Sequence, residues 1–146
     1  MSIGLWVRGA RPKTLVTSIA SVMVGAVMAY VHIERSGTCI AIYPEPASCA
    51  TAREQQTLLM DRFWPVTILC LLVALFLQIA VNYANDYSDG IRGTDAGRDT
   101  DESKSGKPQR LTASGLVPAK HVLFAAMICA AIACICGVVA VVLAQA

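Results

Sequence analysis

VTILCLLVALFLQIAVNYANDYSDGIRGTD, residues 66–95, decides the fold. Its first sixteen residues, Val66 to Val81, carry no charge. A helix needs roughly 20 apolar residues to cross a hydrocarbon core of about 30 Å. Extended back to Phe63, this run is long enough. The chain then turns polar without losing the helical period. Gln78, Asn82, Asn85 or Asp86, and Asp89 recur every three or four residues and line one helix face. Ile79, Val81 and Tyr83 occupy the other. An Asp at the bilayer centre costs about 2.5 to 3.5 kcal/mol. Asp86 lies about 30 Å beyond Val66 at 1.5 Å per residue, so the acids belong at the membrane interface. Gln78 and Asn82 lie deeper and are expected to line a cavity facing other helices.

Two further apolar blocks flank this one. TLVTSIASVMVGAVMAYV covers residues 14–31, and HVLFAAMICAAIACICGVVAVVLA covers 121–144. Of the 146 residues 55% are hydrophobic and only 15% charged, against about 25% charged in soluble domains. The expected architecture is an all-α integral membrane protein with spans near 14–31, 63–84 and 121–144. An outer loop would cover 32–62 and an Asp-rich loop 85–120. In the first span, Ser21, Gly25 and Ala29 form a stripe of small residues suited to close helix packing.

A net charge of +2 argues against nucleic acid as a partner. Its distribution orients the chain. Arg8, Arg11, Lys13, Arg92, Arg98, Lys104, Lys107, Arg110 and Lys120 would share one side. Arg35, Arg53 and Arg62 would lie on the other. The excess of basic residues puts the N-terminus and the Asp-rich loop in the cytoplasm, in a cell membrane. Cys39 and Cys49 fall in the outer loop, where an oxidising compartment permits a disulfide. Cys70, Cys129, Cys134 and Cys136 read as small packing residues within the spans.

Gly90, Gly93 and Gly97 let the chain bend, which would fold Asp95 back toward Asp89. Asn85, Asp89 and Asp95 would then converge as hard oxygen ligands, a set that suits Mg²⁺. Acids with a bound cation and nearby Arg and Lys would attract a diphosphate. Residues 100–108 read instead as a solvated connector.

NDYSDGIRGTD resembles the first aspartate-rich motif of the UbiA superfamily of intramembrane prenyltransferases. Within it, the branch that uses 1,4-dihydroxy-2-naphthoate is the most similar. RGARPKTL (8–15) and RLTASGLVPA (110–119) support the resemblance. The general motif is Asn-x-x-x-Asp-x-x-x-Asp; Asn85 and Asp89 fill its first two positions. Gly93 stands at the third, and Asp95 replaces it two residues later. The resemblance implies that Asn85, Asp89 and Asp95 hold Mg²⁺, with Asp89 and Asp95 the catalytic acids and Asp86 a supporting one. Arg92, Lys107 and Arg110 would contact the diphosphate of a polyprenyl donor. The acceptor would be an aromatic ring, and the product a menaquinone precursor.

The family fold packs about nine membrane-crossing helices around one cavity and carries a second acidic motif. This chain has three apolar blocks and no Asp or Glu after Glu102. It is therefore expected to be one partial domain, the N-terminal portion of such an enzyme. It would be inactive alone and would depend on a chain supplying the missing helices. The alternative is a small membrane subunit or pseudoenzyme that binds metal and diphosphate without turnover.

Overall fold

The computed structural model describes residues 3–37, 46–92, 111–112 and 117–145. Helix α1 spans Ile3–Gly9, α2 Pro12–Ser36, α3 Pro46–Arg92 and α4 Ala119–Gln145. The last three are each long and apolar enough to cross a membrane. No strand occurs among the described residues.

The break between α1 and α2 is built into RGARPKTL. Pro12 has no N–H and disfavours the right-handed helical region for the residue before it. Arg11 leaves the right-handed region and sits in the left-handed one, at φ 51°, ψ 71°. Pro12 then opens α2, where its missing donor costs nothing.

α3 is the central helix, and both α2 and α4 pack on it. Contacts at both ends show α2 and α3 to be antiparallel. Ser18 meets Gln78 at one end, and the Gln56 amide donates to the Glu34 carbonyl at the other (3.1 Å). Gly137 of α4 lies against Val73, while Val122 and Ala126 join the cluster around Tyr83. α4 is thus antiparallel to α3 as well.

α3 has 47 residues, about 70 Å at 1.5 Å per residue, over twice the hydrocarbon thickness. It runs through residues 46–62, expected as outer loop, and through 85–92, expected as the start of the Asp-rich loop. The cause is intrinsic propensity. ATAREQQTLLM, residues 50–60, consists almost wholly of strong helix formers. Hydropathy alone does not register it. Gly90 does not bend the chain either, since the helix continues to Arg92. A Cβ at Gly90 would overlap the Thr112 side chain. The glycine permits close approach of Thr112, and that contact offsets its poor helix propensity.

Aromatic clusters mark two levels along α3. Tyr83 meets Trp6 edge-on, centroids 5.6 Å apart. Phe63 meets Tyr30 and Trp64 edge-on at 5.5 and 5.2 Å. Phe63 and Tyr83 are about 30 Å apart along the helix, one hydrocarbon thickness. Between these levels Val24, Ile68, Leu77, Ile135 and Val138 point outward.

The stripe that packs is not Ser21-Gly25-Ala29. Those residues are exposed, and nothing lies within 4 Å of where a Gly25 Cβ would be. α2 presents Thr14, Ser18, Val22 and Ala26 to α3 instead. The close-packed stripe is on α4, where Ala126, Ala133 and Ala140 recur every seven residues and are buried. Small side chains let α4 and α3 approach closely. Several helices in the chain carry small residues at such spacing, and only packing selects which one is used.

Candidate functional site

The three stretches that carried the family resemblance meet at one place. Gly9 of RGARPKTL, Tyr83 and Asp86 near the end of α3, and Leu111 of RLTASGL are packed together. A Cβ on Gly9 would come within 2.8 Å of Leu111 Cγ and 3.3 Å of Tyr83 Cε1. Leu111 is 0% exposed and Asp86 only 2%. The Tyr83 hydroxyl donates to the Trp6 carbonyl at 3.0 Å, tying α1 to α3.

Gln78 and Asn82 are bonded to each other, to α2 and to the backbone just before it. Thr14 N–H donates to Arg11 O, so the kink at Arg11 leaves the Ala10 carbonyl outside the helical ladder. Asn82 Nδ2 supplies the missing donor at 2.7 Å and also reaches Thr14 Oγ1 at 2.9 Å. Thr14 Oγ1 in turn donates to Arg11 O at 2.9 Å. One turn deeper, Gln78 Nε2 donates to Asn82 Oδ1 (3.3 Å), and its Oε1 accepts from Ser18 (3.0 Å). The result is a polar ladder of two i,i+4 pairs, Thr14/Ser18 facing Asn82/Gln78. Such bonds join helices in an apolar medium. The sequence reading missed Thr14 and Ser18, although their matching i,i+4 spacing was visible.

The acids separate by face. Asn85 is exposed, Asp89 is half-buried, and Asp86 is turned into the bundle. Asp86 Oδ2 accepts the Leu111 N–H at 2.7 Å. Asp86 therefore does not share a face with Asn85, and Leu111 was another contributor that the sequence did not disclose. Arg92 ends α3 with its side chain exposed. Asp95, Lys107, Arg110 and Cys39 lie outside the described residues. Cys49 is disulfide-bonded; the thiols of Cys70, Cys129, Cys134 and Cys136 are free.

Three helices long and apolar enough to cross a membrane carry a polar, acid-bearing end, and the chain that forms them is similar in sequence to part of several named prenyltransferases. It is 38% identical over 138 residues to the 1,4-dihydroxy-2-naphthoate octaprenyltransferase of Mycobacterium tuberculosis, covering 94% of this chain and 36% of that protein. The Mycobacterium leprae protein of the same name is 34% identical over 136 residues, 93% of this chain and 35% of its own length. A Haemophilus influenzae namesake is 30% identical over 117 residues. The chain spans about a third of the length of the curated relatives it matches. No family model and no solved structure matches it.

Proposed function

We propose that the chain supplies the first metal–diphosphate half-site of an Mg²⁺-dependent 1,4-dihydroxy-2-naphthoate polyprenyltransferase of menaquinone biosynthesis. The observation that carries this reading is the split along the end of α3. Asn85 is exposed and Asp89 half-buried on adjacent turns, while Asp86 is enclosed. Residues four apart are neighbours on a helix surface, so an amide oxygen and a carboxylate stand side by side. Among the described residues no three of His, Cys, Asp or Glu gather into a cluster. Asn85 and Asp89 instead make an open ledge. That form fits an ion that binds few protein oxygens and keeps water and phosphate ligands. Asp95 is proposed as the third donor.

When bound, Mg²⁺ would neutralise charge on the departing diphosphate. Arg92 adds a fixed cation at the same end of α3, and Lys107 and Arg110 are proposed to join it. The donor's allylic C–O bond breaks, and its electron pair leaves with the diphosphate. The cation-like carbon then bonds to the ring carbon bearing the carboxylate. Carbon dioxide departs and its bonding electrons return to the ring. The bilayer holds the prenyl chain, and a cytoplasmic placement of the acids follows from the Lys and Arg distribution.

Binding of Mn²⁺ with inorganic diphosphate to the chain in nanodiscs tests the half-site. Asp89→Ala should weaken it by about tenfold or more, the loss of one charged ligand. Binding unchanged in Asp89→Ala removes Asp89 from the site. Prenyl transfer by the full reading frame encoding the chain, with dihydroxynaphthoate against hydroxybenzoate, tests the acceptor.

A further inference from the structure

Asp86 is the acid of the motif that the bundle encloses, at 2% exposure. Enclosing a carboxylate is costly unless hydrogen bonds compensate it. Its Oδ2 accepts the N–H of Leu111 at 2.7 Å. The Leu111 carbonyl accepts from Val117 N–H at 3.3 Å, so both backbone groups of Leu111 are engaged. Its side chain is wedged over Gly9 and beside Tyr83. One turn beyond Asp86, Gly90 lets Thr112 lie directly on the helix. Two successive residues, Leu111 and Thr112, are thus laid across two successive turns of α3.

This is the place where α3 most needs support. The last turn of a helix lacks partners for its carbonyls, and Gly90 weakens the helix further. Asn85 and Asp89 face the same direction only while these turns stay helical.

We propose that Asp86 is a positioning residue, not a metal ligand: it latches the backbone leading into α4 onto the end of α3. The latch holds Asn85 and Asp89 in helical register. This rests on the reading of those two residues as the metal-binding face. The carboxylate is suited to the task because a charged acceptor strengthens a hydrogen bond to a backbone amide.

Hydrogen exchange at the Leu111 amide, in the chain reconstituted in nanodiscs, reads the latch without any ligand. Mn²⁺ resonance in the presence of inorganic diphosphate reads the face. Asp86→Ala should speed Leu111 exchange by about tenfold or more. Asp86→Asn keeps an oxygen acceptor, so Leu111 exchange and Mn²⁺ affinity should each change by about threefold or less. Asp89→Ala should lose Mn²⁺ and leave Leu111 protected. Unchanged Leu111 exchange in Asp86→Ala would overturn the latch. A tenfold loss of Mn²⁺ in Asp86→Asn with Leu111 still protected would make Asp86 a ligand instead. Should Asp86→Ala loosen the whole bundle, Asp86→Asn decides alone by the same two readouts. If the wild-type chain binds no Mn²⁺ with diphosphate, the half-site reading fails, while Leu111 exchange still judges the latch.

Discussion

At the end of the bundle that holds Asp86, Leu111 and Val122 are wholly buried, and α1, α3, α4 and Val117 pack around them. Toward the opposite end Ala140 and Phe63 are the best buried, at 7% and 9% exposed. There α2 and α3 leave an apolar groove of about 390 Å³, lined by Gly25, Ala29, Ile33, Phe63 and Val66, with Ala144 of α4 at its edge. The same helices therefore pack tightly around Asp86 and more loosely beside the groove. A chemical site needs its donors held to a fraction of an ångström, whereas a lipid-facing surface needs only to be apolar. The contrast also separates two carboxylates within one turn of each other. Asp86 is enclosed by the packing, and Asp89 is half-buried.

Substitutions at the two ends should break this contrast in order of packing density. Leu111→Ala removes a fully buried side chain and is expected to cost about 2 to 5 kcal/mol. Thermal unfolding in nanodiscs would measure it; a cost similar to that of an exposed leucine such as Leu77→Ala would show the acidic end to be no tighter than the rest. Gly90→Ala forces Thr112 off the helix, and overpacking of this kind costs about 1 to 3 kcal/mol. The same assay should find Gly90→Ala destabilising despite alanine's better helix propensity. Asn82→Leu strips the donor from the Ala10 carbonyl and Thr14, at about 1 to 2 kcal/mol in an apolar medium. It should also raise exchange in α1 and the first turn of α2 while sparing Phe63 and its neighbours. Gly25→Ala meets open space, so it should be neutral or stabilise α2 by up to about 1 kcal/mol. Destabilisation there would mean that the exposed stripe on α2 is packed in the membrane.

Much of the fold was legible because hydropathy and period are local properties. The three apolar runs became α2, the middle of α3, and α4. Their ends were misjudged where propensity and hydropathy disagree, as in the polar helix 46–62. Gly90 was read as a bend because glycine is usually a breaker. Its use for the approach of Thr112 depends on a residue more than twenty positions away. Asn82 and Gln78 were recognised as polar and inward-facing. Asn82 proved to bond the Ala10 carbonyl freed by the Arg11–Pro12 kink and the Thr14 hydroxyl, and Gln78 the Ser18 hydroxyl, pairings that antiparallel packing creates.

The sequence by itself determined three helices long and apolar enough to cross a membrane, a polar face continuing from Gln78 to Asp89, and the resemblance of RGARPKTL, NDYSDGIRGTD and RLTASGLVPA to stretches of named prenyltransferases. Each follows from residue type and spacing within a few turns. Only the tertiary structure decided that these stretches share one corner, that α4 rather than α2 supplies the close-packed small residues, and that Asp86 and Asp89 part company. A hydrogen bond such as Asp86 to Leu111 joins residues 25 positions apart. Periodicity within one helix gives no information about which backbone amide another segment will bring to it.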